Sequence, residues 1–428
     1  MEVRIGIAGF GTIGTGVYEL LTQQAGLIRE RLGMSIIISA IAEPRLDAVN
    51  NVFPENARIV TDGMELVHDD AIDIIVELVG GRDFPLRLIS AALENGKHVV
   101  TANKALLAYS GQAIYDLAAR KGRALGIEAS VAGGIPIIKT IREALIGNRI
   151  REVRGIINGT CNYILTRMAA AGSMSFGDAL AEAKAHGFAE ADPGLDISGR
   201  DAAHKIAILA SLAFNTPVAM EDVYIEGIDG IESIDIQYAR VLGYVIKLLG
   251  IARDNGAEGI EARVHPTLIL EDNQLASIRN EYNAVYLDCD FLGNILLSGK
   301  GAGAHPTASA VVGDITDIAL MMRDHKTIPP YFSSAGKRNC IPFGKTRNRY
   351  YMRFTTLDRP GILSKITGIL GENNISIARM IQKEENPDHP VPIVMISHSA
   401  VEEDMARAMQ AINDLPEIHK PAVLIRAL

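Results

Sequence analysis

The stretch 187–213 contains a lysine and several acidic residues whose types and spacing suit a catalytic site. Lys205 stands just before the apolar run 206–213, and Asp201 lies four positions earlier, so the two side chains share one helical face. A lysine at the entrance of a buried helix is costly to desolvate, so it needs partners or a chemical role. Alternatively, Asp201 caps the helix and Lys205 simply pairs with it. Three more acids precede this pair: Glu190, Asp192 and Asp196.

Local signals predict how this stretch folds. Pro193 and Gly194 are expected to prevent a helix through that point. A helix is predicted to begin near Ser198, because Asp201 follows it at the spacing of a capping box. The run after Lys205 is apolar except for a single serine, so the helix is predicted to be buried.

Composition limits the class of protein. The 428 residues favour two or three domains, and 48% hydrophobic with 22% charged residues is typical of a soluble globular protein. The net charge of -9 gives no indication of nucleic acid or an anionic membrane as a partner. We expect no signal peptide before the first strand and no membrane-spanning segment. The cysteines Cys161, Cys289 and Cys340 have neither metal-ligand nor disulfide-framework spacing, which favours a reducing cytoplasm.

A glycine-rich segment near the start predicts dinucleotide binding. The apolar run 3–8 reads as a buried strand, and helical periodicity resumes at residue 17. Between strand and helix, a GxGxxG pattern makes a tight turn, lets the backbone approach a pyrophosphate and presents the helix N-terminus to it. A turn without a ligand is the alternative. The residues expected at the cofactor are Gly9, Phe10, Gly11, Thr12, Ile13 and Gly14.

The end of the second predicted strand, 36–42, bears on the choice of nucleotide. Glu43 follows that strand, and a carboxylate there would accept a hydrogen bond from a ribose 2′-hydroxyl and favour NAD. Arg45 could instead meet the 2′-phosphate of NADP. The sequence therefore favours NAD over NADP without deciding between them.

Further strands at 72–79 and 97–101, with a helix at 85–95, predict a parallel, doubly wound sheet whose ligand crevice lies at the carboxyl ends of the strands. Thr101 to Lys104 stand at such an end, where Lys104 is either a solvated loop residue or part of the site.

The small residues of 126–136 favour a plain Gly-rich crossover that ends at Pro136, a residue suited to a helix start. A cation site of one carboxylate and backbone carbonyls is the alternative.

The middle of the chain gives weaker signals. Asn158 and Gly159 predict a turn, and Thr160 is predicted to cap the next helix. The segment 264–269 reads as a strand interrupted by Pro266, and His265 is expected to be structural. A second Gly-rich loop precedes a helix predicted from about residue 306 to 322. Residues 324–348 are interpreted as a linker.

The last part of the chain, from 349, predicts the order βαββαβ of a ferredoxin-like fold. Strands are expected at 350–355, 375–382, 393–398 and 422–426. One helix is expected from residue 362 and a second at 402–413.

Several of these segments resemble one family. The stretch 187–205 is similar to the pattern GxxEADPxxDxxGxDAxxK of homoserine dehydrogenases, matched at Gly187, Glu190, Asp192, Pro193, Asp196, Gly199, Asp201 and Lys205. Residues 158–163 look like NGTxNY, and residues 299–309 look like GxGAGxxPTAS. DRPGIL at 358–363, followed by NNISI, resembles an ACT domain.

The resemblance implies a fold class and domain limits. The class is α/β, with a Rossmann-type doubly wound NAD(P)-binding domain at 1–130 and a return segment at about 304–323. An α+β domain for substrate and dimerisation would span 131–303. After the linker 324–348, a regulatory ferredoxin-like ACT domain would span 349–428.

The resemblance also implies an activity, the NAD(P)-dependent interconversion of L-aspartate 4-semialdehyde and L-homoserine. Lys205 would donate the proton to the developing alkoxide while Lys104 holds the oxygen. Glu190 would bind the substrate ammonium, and Asp196 and Asp201 would orient Lys205 or the amino group. Another amino-acid dehydrogenase and a non-catalytic nucleotide sensor are the rival interpretations.

Further sites are implied in the same way. Thr101, Lys104, Gly187 and Gly303 would lie near the cofactor. A structural sodium ion would be held by Glu128 and the carbonyls of Val131, Gly133 and Ile135. An amino-acid effector, threonine in similar proteins, would meet Asp358, Gly361 and Asn374 between two ACT units, so a homodimer or homotetramer is expected. An ACT domain retained for assembly alone is the alternative.

Overall fold

A computed structural model describes residues 1–45, 57–170, 174–326, 331–332, 338–382 and 390–428. The chain divides into two compact units. The first comprises Met1–Val153, His204–Met220 and Asn283–Arg338, and the second Arg154–Ala203, Glu221–Tyr282 and Asn339–Leu428.

Fourteen α-helices and seventeen strands lie in the described residues. The helices are α1 (Thr12–Gln23), α2 (Ala25–Leu32), α3 (Met64–Val67), α4 (Asp83–Glu94), α5 (Lys104–Lys121), α6 (Ile137–Lys139), α7 (Gly159–Ala169), α8 (Phe176–Ala185), α9 (Gly194–Ile197), α10 (Arg200–Ala213), α11 (Ser233–Val241), α12 (Ala304–Arg323), α13 (Ile362–Glu372) and α14 (Glu402–Asn413). The strands are β1 (Glu2–Ala8), β2 (Ser35–Ala42), β3 (Arg58–Val60), β4 (Ile74–Glu77), β5 (His98–Thr101), β6 (Leu125–Gly126), β7 (Ile150–Ile156), β8 (Tyr224–Ile225), β9 (Tyr244–Asp254), β10 (Ile260–Leu270), β11 (Tyr282–Cys289), β12 (Gly293–Lys300), β13 (Arg347–Thr356), β14 (Ile377–Gln382), β15 (Val391–Ser397), β16 (Ala400–Val401) and β17 (Ile418–Ala427).

The first unit contains a six-stranded sheet in the order β3-β2-β1-β4-β5-β6, and every pairing in it is parallel. Its central strands are buried on both faces, which explains their nearly continuous apolar sequences. The chain order reverses between β1 and β4, and in such sheets this is where a ligand crevice opens at the carboxyl ends. The predicted doubly wound fold is therefore confirmed.

Helix α12 returns the chain to this sheet. Its residues Ala308, Val311 and Ile315 share one apolar cluster with β1 and α1. A Cβ at Gly16 of α1 would lie 3.0 Å from the carbonyl oxygen of Ala304, so the two helices can approach this closely because residue 16 is glycine.

The second unit contains consecutive strands in the order β9-β10-β17-β13-β15-β14, with β8 on β10 and β16 on β13. The elements β13, α13, β14, β15, α14 and β17 follow the predicted βαββαβ order, and the two helices cover an apolar cluster that includes Tyr350, Phe354 and Ile366. Strand β17 also pairs in parallel with β10, at Thr267 with Arg426 and at Leu268 with Ala427. The ferredoxin-like sheet and the β9-β10 ladder are thus one continuous sheet.

The helix predicted to begin near Ser198 begins later. Pro193 precedes the short helix α9, Ser198 ends it, and α10 starts at Arg200. The expectation that Pro193 and Gly194 prevent a helix through that point is confirmed, because α8 ends at Ala185 and Pro193 is the N-cap of α9, a position where proline is tolerated. Gly199 separates the two helices with a φ of 80°, and a Cβ there would lie 3.1 Å from the carbonyl oxygen of Glu226.

Other local predictions also differ from the structure. Strand β10 is not interrupted at Pro266, because its ladder with β9 continues from Ile260 to Leu270. Asn158 rather than Thr160 caps α7, since its side chain accepts the Cys161 N–H. The predicted linker lies partly outside the described residues. In its described part, Tyr331 stacks on Tyr115 at 4.6 Å between ring centroids.

No helix in the part of the chain described by the structure is long and apolar enough to cross a membrane.

Candidate active site

The Gly-rich turn after β1 leaves space on one side. A Cβ at Gly9 would lie 2.7 Å from the backbone of Leu78, and a Cβ at Gly14 would lie 2.3 Å from the carbonyl oxygen of Gly9. Both positions therefore need glycine. By contrast, among the described residues other than its own chain neighbours and helix, no atom lies within 4 Å of a Cβ at Gly11, at the N-terminus of α1. This open side, next to free helical N–H groups, can receive a phosphate.

A cavity of about 470 Å³ borders this turn and is lined by Gly9, Gly11, Glu43, Arg45 and Asp62, among others. Glu43 is buried, and its carboxylate accepts the Phe10 N–H at 2.9 Å. Its other oxygen accepts the backbone N–H of Arg45 at 3.2 Å and the Nε–H at 3.4 Å. The carboxylate thus braces the Gly-rich turn and also faces the cavity.

The carboxyl ends of β4 and β5 are joined by Glu77, a residue that the sequence analysis did not single out. Its buried carboxylate accepts the Val79 N–H at 2.9 Å and the Thr101 hydroxyl at 2.6 Å. Thr101 in turn accepts the Asn103 N–H at 3.0 Å, and Asn103 donates to the Gly81 carbonyl at 2.8 Å. Burial raises the pKa of Glu77. The sequence signal that could have identified Glu77 is its position as a carboxylate at the end of a predicted strand.

This network fixes the start of α5, where Lys104 is the first helical residue and Asn103 is the N-cap. Lys205 lies on α10 and is buried, at 7% exposure. The ring of Tyr109 on α5 contacts the ring of His204 edge-on, with centroids 5.6 Å apart. The helices that carry the two lysines are therefore neighbours in the first unit.

A cluster of acids lies in the second unit. Asn158 donates to Asp196 at 2.7 Å and to Asp201 at 2.8 Å, and Asp201 is buried. Glu190 is exposed on the loop before α9, and Gly187 in the same loop has a φ of 74°. Asp201 is in the first turn of α10, one turn before Lys205, as their spacing predicted. Sequence reasoning missed the side-chain role of Asn158.

The segment predicted to hold sodium is compact. The two carboxylate oxygens of Glu128 accept the N–H groups of Ile138 and Lys139 at 2.8 Å each. Ala132 and Gly133 both have positive φ, at 56° and 50°. Among the described residues, no group of three or more His, Cys, Asp and Glu side chains could hold a metal ion. The predicted sodium ligands are of another kind, namely one carboxylate and the backbone carbonyls of Val131, Gly133 and Ile135. A carboxylate keeps further lone pairs after two hydrogen bonds, so Glu128 remains a possible ligand.

The three residues predicted to bind an effector do not meet within one chain. Asp358 and Gly361 precede α13, and Asp358 accepts a hydrogen bond from Gln382 at 3.0 Å. Asn374 follows the same helix, whose 11 residues span roughly 16 Å at 1.5 Å per residue. The residues can therefore contact one small ligand together only if a second copy supplies one part of the site.

Comparisons with known proteins agree along the whole chain. Residues 9–128 match the family described as "Homoserine dehydrogenase, NAD binding domain", residues 136–316 match "Homoserine dehydrogenase", and residues 350–417 match "ACT domain". The homoserine dehydrogenase of Neisseria gonorrhoeae is 44% identical over 99% of this chain and 98% of its own length. That of Synechocystis is 41% identical over 100% of both chains.

Solved structures agree as well. A homoserine dehydrogenase from Thiobacillus denitrificans superposes with a TM-score of 0.95 and 41% identity, covering 100% of this chain and 98% of that one. The matched segments include the Gly-rich turn, both lysines, the acid cluster and the ferredoxin-like end of the chain. The chain therefore belongs to the homoserine dehydrogenase family, NAD(P)-dependent oxidoreductases that interconvert L-homoserine and L-aspartate 4-semialdehyde, and it carries a C-terminal ACT domain.

Proposed function

We propose that Lys205 donates the proton to the substrate oxygen when the semialdehyde is reduced, and that Lys104 holds that oxygen. Nicotinamide, when bound, supplies or takes the hydride at the substrate carbon. A cationic amine beside the oxygen favours the developing alkoxide and can then protonate it. The burial of Lys205 and the contact between α5 and α10 support this assignment.

The acids would bind and orient the amine end of the substrate. We assign the substrate ammonium to Glu190, which is exposed in the loop before α9. Asp196 and Asp201 would orient that ammonium or Lys205. The shared hydrogen-bond donor between these two carboxylates supports a common task.

The dinucleotide would lie along the turn Gly9-Phe10-Gly11-Thr12-Ile13-Gly14, with Thr101, Lys104, Gly187 and Gly303 near it. We propose NAD as the better cofactor, because the carboxylate of Glu43 faces the cavity and would repel a 2′-phosphate. Arg45, whose side chain is 75% exposed, is the residue that would favour NADP. A hyperthermophilic archaeal homoserine dehydrogenase, 25% identical over 77% of this chain at a TM-score of 0.65, was solved in complex with NADPH.

Two further ligands belong to the proposal. Sodium would be held by Glu128 and the carbonyls of Val131, Gly133 and Ile135, where the positive φ angles of residues 132 and 133 curl the backbone tightly. An amino-acid effector, threonine, would bind at Asp358, Gly361 and Asn374 between two copies of the chain. The separation of these residues within one chain supports a homodimer or a larger assembly.

The position of Lys205 carries the proposal, since a buried lysine follows Asp201 by one turn at the head of an apolar helix. Replacing Lys205 with alanine should lower kcat for homoserine oxidation by at least about a hundredfold, the usual scale for losing a general acid or base. Cofactor affinity, measured by nicotinamide fluorescence, should be retained. Lys121→Ala, at the exposed end of α5, is the matched control. Near-normal turnover of Lys205→Ala would show that another group moves the proton.

A further inference from the structure

The N-cap of α7, Asn158, contacts both acids that flank the break between α9 and α10. We propose that Asn158 is a positioning residue that holds Asp196 and Asp201 as one doubly negative site for a cationic amine. This inference rests on the proposed roles of those two acids. It adds the residue that fixes their geometry.

Hydrogen bonding fixes the orientation of the Asn158 amide. Its Oδ1 accepts the Cys161 N–H at 2.8 Å, so the amide oxygen is committed to the backbone of α7. Its Nδ2 donates to Asp196 Oδ1 at 2.7 Å and to Asp201 Oδ2 at 2.8 Å. A backbone N–H can only donate and an ionised carboxylate can only accept, so the flipped amide would oppose all three partners. Each amide hydrogen therefore serves a different carboxylate.

Two more groups in the first turn of α7 contact Asp196. The Thr160 hydroxyl lies 3.1 Å from Asp196 Oδ2, and the Cys161 thiol lies 3.1 Å from the Asp196 carbonyl oxygen. The Thr160 hydroxyl has one hydrogen, and its contact with the Phe188 carbonyl is shorter, at 2.6 Å. Asn158 is therefore the main side-chain donor to the Asp196 carboxylate at the start of α7.

Charge explains why an amide suits this position. The two carboxylate oxygens that share Nδ2 are at most 5.5 Å apart, the sum of the two hydrogen-bond distances. Like charges at this separation repel each other, and a neutral donor that bonds to both carboxylates offsets part of that repulsion. A lysine or arginine would also bridge them but would cancel the negative charge that attracts an ammonium group. The amide holds both acids and leaves their charge available.

The backbone alone would hold the acids less firmly. Asp196 lies in the four-residue helix α9, Asp201 lies in α10, and Gly199 between them has a left-handed backbone. The Asn158 amide spans this break. Its loss should let Asp196 turn away from Asp201, which would lower the affinity for the substrate amine and leave the Gly-rich turn of the other unit unchanged.

The test uses the full-length enzyme with Asn158→Ser. Serine is also a preferred N-cap, so the cap of α7 is kept while both amide donors are lost. The KM for homoserine should rise about 10- to 100-fold, the range for losing hydrogen bonds to charged groups. The dissociation constant of the nicotinamide cofactor should stay within about twofold, because the Gly-rich turn belongs to the first unit. Ser175→Ala is the matched control, since it removes the cap of α8 and should leave the KM unchanged.

Companion variants separate the proposed role of the two acids from the proposed positioning role of Asn158. If Asp196→Asn and Asp201→Asn retain normal KM and kcat, the proposed role of the acids fails. If these variants are impaired while Asn158→Ser keeps the wild-type KM, the acids matter and the positioning role of Asn158 is overturned. Combining Asn158→Ser with Asp196→Asn should add little to either single change, because both act on one site.

A folding defect gives a different pattern. Asn158→Asp also keeps a good N-cap but places a third carboxylate beside the acids, so its KM should rise at least as much as that of the serine variant. If both variants show a lower melting temperature and an unchanged KM in the folded fraction, Asn158 has a purely structural role and the inference is wrong.

Discussion

Arg426 near the end of the chain joins three elements of the second unit, and its replacement gives a quantitative test. Arg426 lies on β17, and its guanidinium donates to Glu402 of α14 at 2.5 and 3.3 Å. It also bonds to Glu226, which follows β8. The side chains of Arg426 and Glu402 are 6% and 7% exposed, whereas that of Glu226 is 33% exposed.

These values set the expected effect of Arg426→Met. Removing one partner of a buried ion pair costs about 3–5 kcal/mol, because the remaining charge is left without compensation. Here that charge is the carboxylate of Glu402. The more exposed Glu226 can be solvated, so it should add less than about 1 kcal/mol. At about 2–4 °C per kcal/mol for a unit of this size, the melting temperature should fall by roughly 6–20 °C.

The assay is thermal unfolding of the full chain followed by circular dichroism, with Arg426→Met compared with Arg426→Met/Glu402→Gln. The double variant should recover more than half of the lost stability, because it removes the uncompensated charge and keeps an acceptor for the Tyr350 hydroxyl, which donates to Glu402 at 2.9 Å. A loss below about 1 kcal/mol in the single variant would show that water already compensates Glu402. A double variant no more stable than the single one would also refute the reasoning.

Two predictions concern ligands. NAD should give a higher kcat/KM than NADP. Replacing Glu43 with glutamine should reduce this difference in kcat/KM, because it removes the charge that repels a 2′-phosphate. A strong preference for NADP in the unaltered enzyme would mean that Arg45 determines the choice of nucleotide. Threonine should inhibit the unaltered enzyme, and Asp358→Ala or Asn374→Ala should raise the concentration needed at least about fivefold, the lower end of typical allosteric coupling. Rates that do not respond to threonine in the unaltered enzyme would leave assembly as the role of the ACT domain.

Much of the fold followed from local sequence patterns. The strand at 3–8 and the helix at 402–413 were predicted within a residue or two, and the GxGxxG turn was predicted between the first strand and the first helix. Period-two and period-3.6 patterns with cap and turn residues act over a few positions, so the sequence shows them directly. The boundary at Ser198 was wrong because Ser198 ends the short helix α9, and Gly199, with its left-handed backbone, separates that helix from α10.

The contacts that organise the candidate site were harder to predict from the sequence. Asn158 is 38 positions before Asp196 in the sequence and 43 before Asp201, and its amide reads locally as a helix cap. The bond between Glu77 and Thr101 likewise depends on the parallel pairing of β4 and β5. Residue types and local spacing therefore identified the acids and lysines, whereas the residues that position them depend on tertiary pairings that one sequence does not reveal.

The pairing of β17 with β10 changes how the ACT domain must be studied. A chain shortened to end near Arg349 would expose the edge of β10 and would leave Asp235 of α11 without Arg353, which donates to it at 2.6 Å. Asp235 is fully buried, so its charge would lose compensation inside the unit. Loss of activity in such a chain would report damage to the second unit as well as loss of an effector site. Point changes at the effector residues leave this sheet intact, so they test regulation separately from folding.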